Sequence, residues 1–334
     1  MGRLYYTFNY PESASGGATF LTGIRGVEHH GNQCSDQVYI SGVYRDPDNG
    51  SSGLVYKGLL NGQGKWHILN FPSSDGITVT GTSLYGPNNG PTNKTVQVVG
   101  NYNTQETGPI ALGCLYEGHL DGSGKWTTLI PDLAQSVINT IAHSTMGGLI
   151  VGNYDVQLNL GRAFLYDIDA KKYYDITHKD AVSITAYGIW FDRNCSYTIC
   201  GGYTPLNGFP GLTYGYIAHW DHKLKKLTNF DKYVYNNDLI GIVVTHFDGI
   251  TSDGHCGYNL TGDWVGVKQG GPVSGAFFAH VPRLGGTAKW ELIAYPNQPS
   301  TSGNSVYRSS VIGIYTTAEN QINGYVAIKT PNKQ

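Results

Sequence analysis

One unit recurs along this 334-residue chain and limits its possible folds more than any other feature. Its clearest copy is Val151-Gly152-Asn153-Tyr154, followed by Arg162-Ala163-Phe164-Leu165-Tyr166-Asp167. Val99-Gly100-Asn101-Tyr102 is followed in the same way by Cys114-Leu115-Tyr116-Glu117, and Gly42-Val43-Tyr44 by Leu54-Val55-Tyr56-Lys57. Weaker copies begin at Gly201-Gly202-Tyr203, Gly257-Tyr258 and Gly313-Ile314-Tyr315. Self-similarity at intervals of about 50–60 residues marks an array, solenoid or propeller, in which each unit buries its apolar face only against the next.

Each copy divides into four short apolar runs. The first is Thr-rich, as in Thr82-Ser83-Leu84-Tyr85-Gly86; the second ends in Gly-x-Tyr; the third is the Phe-Leu-Tyr run. The fourth opens on Trp or Tyr, as in Trp126-Thr127-Thr128-Leu129. Asn61-Gly62 and Asp121-Gly122 separate third from fourth, and such dipeptides supply the positive φ of tight hairpins. No stretch carries a sustained helical period. The 46 glycines and 25 tyrosines, with only 14 % charged residues, suit short strands and tight turns. Four antiparallel strands per unit make a propeller blade.

Counting strand types completes the architecture. Leu4-Tyr5-Tyr6-Thr7-Phe8-Asn9-Tyr10-Pro11 matches the outer run Trp290-Glu291-Leu292-Ile293-Ala294-Tyr295-Pro296, whereas the chain ends near Val326-Ala327-Ile328 without such a run. The expectation is a six-bladed, all-β propeller of four-stranded antiparallel blades, one domain over residues 1–334. Residues 4–10 close the ring as the outer strand of the last blade, removing edges that would otherwise pair with other chains.

Gly161-Arg162-Ala163-Phe164-Leu165-Tyr166-Asp167 and Gly275-Ala276-Phe277-Phe278 resemble the bacterial HAF-type extracellular repeat, a glycine-tyrosine strand followed by a His-Ala-Phe-Leu-Tyr strand. The resemblance implies a propeller. Arg162 and Gly275 replace the motif's histidine, so no ligand carries over.

A formal net charge of −2 without blocks of Lys or Arg argues against nucleic acid or an acidic membrane as partner. No run of about 18 apolar residues reads as a membrane span. The N-terminus, Met1-Gly2-Arg3-Leu4, has no apolar signal region, so the chain is cytosolic or a mature secreted domain lacking its signal peptide. Cys34, Cys114, Cys195, Cys200 and Cys256 form no C-x-x-C pair and indicate neither a disulfide framework nor a zinc knuckle. Cys195 and Cys200 read as buried free thiols that a turn could bring together. Sequons at Asn49, Asn93, Asn194 and Asn259 are a weak sign of secretion.

Innermost propeller strands line a central channel, so equivalent positions converge on one axis. Aligning the inner runs by height nominates Arg25, Tyr85, His143, Tyr187, the segment His246-Phe247-Asp248, and Tyr307-Arg308. The fifth run is uncertain by one residue, because Asp248-Gly249 reads as an insertion. His143 and His246 with Tyr85, Tyr187 or Tyr307 could serve as proton acceptor and donor. Arg25 and Arg308, beside Asp248 and Phe247, could bind substrate and steady a carboxylate or developing oxyanion. His143, His246 and Asp248 could instead ligate a metal, but no local ligand spacing supports that; no cofactor is expected. No nucleophile elbow is present. The favoured reading is a metal-independent lyase, isomerase or cyclase acting on a small organic or sugar-derived ligand at the axis. The alternative is a lectin-like propeller with several rim sites, using Trp66, Trp126 and Trp290 as stacking platforms.

Overall fold

The computed structural model describes residues 2–28, 34–47, 50–92, 94–157, 160–193, 196–235 and 241–330. His29, His30, Asn49, Asn93, Asn194 and Cys195 lie outside the described residues. β1 (Arg3–Thr7) leads through a 3-10 turn at Pro11–Ser15 into a meander of β2 (Ala18–Glu28), β3 (Cys34–Asp46), β4 (Gly50–Gly58) and β5 (Gly64–Ile68). A second meander contains β6 (Val79–Asn89), β7 (Val96–Thr104), β8 (Leu112–Gly118) and β9 (Lys125–Leu129). One parallel bridge, Ser51 to Gly81, joins these two into a continuous eight-stranded sheet. β10 (Asn139–Met146), β11 (Leu149–Asp155), β12 (Gly161–Asp167) and β13 (Lys172–Ile176) form the next sheet.

β14 (Ala181–Ile184) and β15 (Gly188–Arg193) both pair with β16 (Ser196–Pro205), which continues to β17 (Tyr214–Asp221) and β18 (Lys226–Tyr233). β19 (Gly241–Ser252), β20 (Tyr258–Lys268), β21 (Gly271–Val281) and β22 (Lys289–Ile293) follow. The last sheet holds β23 (Ser300–Tyr307), β24 (Ser310–Thr316) and β25 (Ile322–Lys329), and β1 is its fourth strand. The chain is an all-β propeller of four-stranded antiparallel blades, and no α-helix occurs among the described residues.

The ends of the chain meet where the sequence places them. Leu4 pairs with Ile328 and Tyr6 with Val326. Arg3 then fastens this seam to the neighbouring blade: Nε donates to Glu291 Oε1 at 2.7 Å, and Nη2 to Oε2 at 3.2 Å. The paired, two-toothed geometry suits a guanidinium whose side chain is only 2 % exposed.

The recurrent Thr and Tyr have a common task. Where the chain passes from an outer strand to the next inner strand, an aromatic residue's N–H is received by a Thr hydroxyl. Tyr10 N donates to Thr19 Oγ1, Phe71 N to Thr82, Tyr235 N to Thr245 and Tyr295 N to Thr301. The same aromatic packs on the signature ring: Phe71 lies 3.7 Å from Tyr102, and Tyr295 3.8 Å from Tyr315, both stacked. Tyr235 stacks on Trp264 at 5.2 Å, which identifies Trp264 as the fifth signature aromatic. The fifth copy is therefore Gly262-Asp263-Trp264, not Gly257-Tyr258. Tyr258 instead begins β20, opposite Ser252, and its hydroxyl bonds Asp192 and Thr198.

The recurrent Trp residues are packing elements. Trp66 meets Phe8, Tyr10 and Tyr56, and Trp126 meets Tyr116 and Phe71. Trp290 lies against Phe277 and Phe247. All three pack against aromatic neighbours and are half-buried, and Trp290 also lines a surface pocket with His280 and Glu291. Cys114 and Cys200 are buried free thiols, whereas Cys256 is exposed. Asn259 sits within β20 and donates Nδ2 to Arg308 O, so strand packing occupies this sequon.

Candidate functional site

Every inner strand carries one extra residue at the same level. Leu21 pairs with Gly42 and Gly23 with Ser41, which leaves Thr22 unpaired. The same irregularity leaves Tyr85 unpaired in β6, His143 in β10, Asp248 in β19 and Asn304 in β23. Between β14 and β15, Thr185, Ala186 and Tyr187 stand against Gly201 and Gly202. Such bulges bend the strand and re-aim one side chain. Thr22, Tyr85, His143, Tyr187, Asp248 and Asn304 all line one axial cavity of about 260 Å³.

The signature glycine is the cause. A bulge pushes the carbonyl two residues before it into the space a Cβ would occupy on the second strand. A Cβ on Gly42 would lie 2.4 Å from Phe20 O, and on Gly100 2.0 Å from Ser83 O. The corresponding distances are 2.3 Å for Gly152 to Ile141 O and 2.1 Å for Gly201 to Thr185 O. They are 1.8 Å for Gly262 to His246 O and 1.9 Å for Gly313 to Ser302 O. No side chain fits there. The most regular feature of the sequence is thus the mark that the site leaves on its neighbouring strand.

This register corrects the alignment by height. Tyr85, His143 and Tyr187 are ring members as expected, but the fifth member is Asp248 and the sixth Asn304. Tyr307 and Arg308 belong elsewhere: about 3.3 Å of advance per residue carries Tyr307 some 10 Å past Asn304, out of the cavity. Both line a separate cleft with Trp190 and Asp253, and the exposed Arg308 faces Asp36 at 3.8 Å. Arg25, three residues beyond Thr22, is likewise displaced. It is buried at a narrow waist below the cavity, stacked over Trp190 at 5.2 Å. Phe247 is wholly buried among Phe277, Tyr233 and Trp290, because strand alternation turns it away from the axis that Asp248 faces.

His246 reaches the site through a gap made by another glycine. Its ring lies where a Cβ of Gly202 would be, 2.3 Å from Cδ2. Nδ1 is 2.9 Å from Asp248 Oδ1 and Nε2 is 2.8 Å from Thr185 Oγ1. The carboxylate accepts, so Nδ1 carries hydrogen. Thr185 can donate to Nε2 or, turned to Gly202 O at 3.0 Å, accept from it. Either imidazole state is accommodated by rotation of one hydroxyl.

A line of rings leads from this pair across the cavity. Tyr187 meets His246 edge-on at 4.5 Å and stacks on His143 at 3.8 Å; Tyr85 meets His143 edge-on at 5.1 Å. Burial, helped by His246, holds His143 down to a pKa of about 3, so it is a neutral imidazole at ordinary pH. Its Nε2 is buried without a partner. Burial raises the phenols of Tyr85 and Tyr187, the latter also through Asp248, so both stay protonated. Neither hydroxyl has a hydrogen-bond partner among the described residues. His143 is separated from His246 by Tyr187, and no three His, Cys, Asp or Glu side chains gather as a metal-ligand set among the described residues.

Two residues escaped the sequence reading. Arg45, in β3, lines the cavity mouth over Phe20 at 5.1 Å. Asp263, the middle residue of the corrected fifth signature, accepts from Ser302 Oγ at 2.5 Å and Gly303 N at 2.9 Å of the next blade. Burial and then Asp248 raise its pKa to about 7. Asn153 occupies the matching position and accepts from Ala186 N at 2.8 Å, so recognising Gly-x-aromatic rather than Gly-x-Tyr would have found Asp263.

No family model matches the sequence, and no curated protein matches it either. Among solved structures, the chain is similar to a mutant α-L-arabinofuranosidase from Fusarium graminearum in complex with an iminosugar inhibitor. That similarity has a TM-score of 0.52 and 13 % identity over 98 % of both chains. The β-propeller domain of the Trilobed protease from Pyrococcus furiosus is similar at a TM-score of 0.42 and 9 % identity, over 93 % of both chains. A GH43_1 enzyme from Xanthomonas citri reaches 0.46 and 8 %, over 95 % of this chain and 88 % of the other. The HAF-type resemblance finds no matching model. At such identities likeness speaks to fold alone.

Proposed function

We propose that the axial cavity is the active site of an acid–base enzyme, of lyase, isomerase or cyclase type, acting on a small organic or sugar-derived substrate. Asp248 removes a proton from a carbon acidified by a neighbouring carbonyl or carboxyl group, and the Tyr187 phenol returns one to the product or leaving group. His246 does not touch the substrate; its Nδ1–H holds Asp248 in place. His143, neutral and stacked on Tyr187, fixes that ring, and Tyr85 offers its hydroxyl to the substrate. Arg45 at the mouth suits an anionic group on the substrate.

The observation that carries this reading is the juxtaposition of Asp248, backed by His246, with unpartnered Tyr187 in one small cavity. The iminosugar in the similar arabinofuranosidase is in keeping with a sugar-derived ligand. The rim-lectin reading would rest on Trp66, Trp126 and Trp290, which are half-buried against aromatic neighbours. On the same footing we take residues 1–334 as one domain of HAF-type repeats. The eight-stranded sheet counts as two blades, giving six in the ring.

The test is exchange in D₂O. Ketoses, uronic acids and small 2-hydroxy and 2-oxo acids are incubated with the protein, and solvent deuterium at carbon is followed by NMR. Wild type should label one class of compound, with Asp248→Asn slowing labelling by about 10²–10⁴-fold. Equal labelling by both proteins removes Asp248 as the base.

A further inference from the structure

Below the cavity the channel narrows to a waist with room for about 20 Å³. Its wall is the residue after each bulge: Gly23, Gly86, Ser144, Gly188, Gly249 and Ser305. These are small because the strands approach closely. A Cβ on Gly23 would be 1.7 Å from Tyr85 O, and one on Gly249 2.7 Å from Ser305 Cα. Space for one water needs about 10–15 Å³, so this waist admits a single atom-sized guest and no organic group.

The Arg25 guanidinium borders this space and is 7 % exposed. Its surroundings leave it short of partners. Nη2 reaches Ile189 O at a long 3.4 Å, the plane lies over Trp190, and Nε has no acceptor within reach among the described residues. No carboxylate forms an ion pair with it among the described residues. Glu28, three residues along β2, is exposed, and Asp248, which also borders the waist, is bonded to His246. Burial lowers the Arg25 pKa only to about 10, so it is cationic at neutral pH. A buried cation needs an opposite charge or a strong acceptor nearby.

We propose that the waist of the channel binds one small monovalent anion, chloride or its equivalent, on the Arg25 guanidinium. The Ser144 and Ser305 hydroxyls, on the same wall, are available as further donors to it. This site lies below the substrate cavity and does not depend on any chemistry assigned there. It gives a polar axis a charge-matched plug, binding only the folded ring and so stabilising it.

Crystals soaked in bromide should show an anomalous peak in the waist, within hydrogen-bonding distance of the Arg25 guanidinium. In parallel, the melting temperature at constant ionic strength should be about 2 °C or more higher in sodium chloride or bromide than in sodium gluconate. The halide increment should vanish in Arg25→Gln, and should weaken in Arg25→Lys, which keeps the charge but loses the planar guanidinium donors. A waist with no anomalous signal, or equal wild-type melting in chloride and gluconate, overturns the proposal. The wild-type measurements decide even if both variants fail to fold.

Discussion

Two arcs of the bulge ring share one backbone and spend their side chains differently. On the arc of Asn304 and Thr22, each side chain donates to the carbonyl just before the next bulge. Asn304 Nδ2 bonds Leu21 O at 2.6 Å, and Thr22 Oγ1 bonds Leu84 O at 2.5 Å. On the arc of Tyr85, His143 and Tyr187, which also lines the cavity, neither phenol hydroxyl nor the buried His143 Nε2 has a hydrogen-bond partner among the described residues. The first arc closes the ring; the second leaves hydrogen-bonding capacity for something else. Unpaired buried polar groups cost stability, and sites that keep them have a use for them. The contrast separates scaffold from chemistry without reference to any other protein.

The largest break comes from the element both arcs share. Gly262→Ala places a methyl where His246 O already is, at 1.8 Å, and backbone cannot yield cheaply. The expected cost is about 3 kcal/mol or more in urea unfolding, with loss of labelling activity as His246 and Asp248 shift together. A stable, active Gly262→Ala protein would sink the link between signature and bulge. Asp248→Asn comes next, at the ring member between the two arcs. It should fold with near-normal stability, since the amide can still accept from His246, while deuterium labelling falls as stated above.

The fold was legible because its signals are local and repeated: Asn-Gly turns, the Gly-x-Tyr strands, and the outer run at Leu4–Pro11 that needed a partner. The site was only half legible. Tyr85, His143 and Tyr187 were found because they are the large polar residues in their inner runs. Asn304 and Thr22 looked ordinary beside the more conspicuous Tyr307 and Arg25. Counting along strands assumes regular pairing, and one bulge per strand shifts every later residue relative to the neighbouring strand. The irregularity at Asp248-Gly249 was visible, but its counterparts elsewhere were hidden by the glycines that accommodate them. In the fifth unit Trp264 replaced Tyr, and with it Asp263 was lost from view.

Two buried groups, His143 on the cavity arc and Asp263 beside the Asn304 arc, titrate in opposite senses, which sharpens the comparison through pH. The folded pKa of His143, about 3, lies below its ordinary 6.5, so its contribution is present above pH 6.5 and is lost as pH falls towards 3. That of Asp263, about 7, lies above its ordinary 3.8, so its contribution is full below pH 3.8 and is lost as pH rises through 7. Wild-type stability minus that of Asp263→Asn should therefore grow from pH 7 to 3.8, by up to about 1.4 kcal/mol per pH unit. The same difference against His143→Gln should shrink over pH 6.5 to 3. Flat differences in urea-unfolding profiles would mean that these groups are better solvated than their packing implies.

The smallest effect is the cleanest contrast between the arcs. Thr22→Val keeps the shape but deletes the bond to Leu84 O, and should cost about 1 kcal/mol of stability. Tyr85→Phe deletes a hydroxyl that has no hydrogen-bond partner among the described residues, and should be close to neutral in unfolding. In deuterium labelling the order should reverse, with Tyr85→Phe the slower enzyme. If both variants lost stability and labelling in the same proportion, the two arcs would be one structural ring. The unpartnered hydroxyl would then be a feature of packing and not of catalysis.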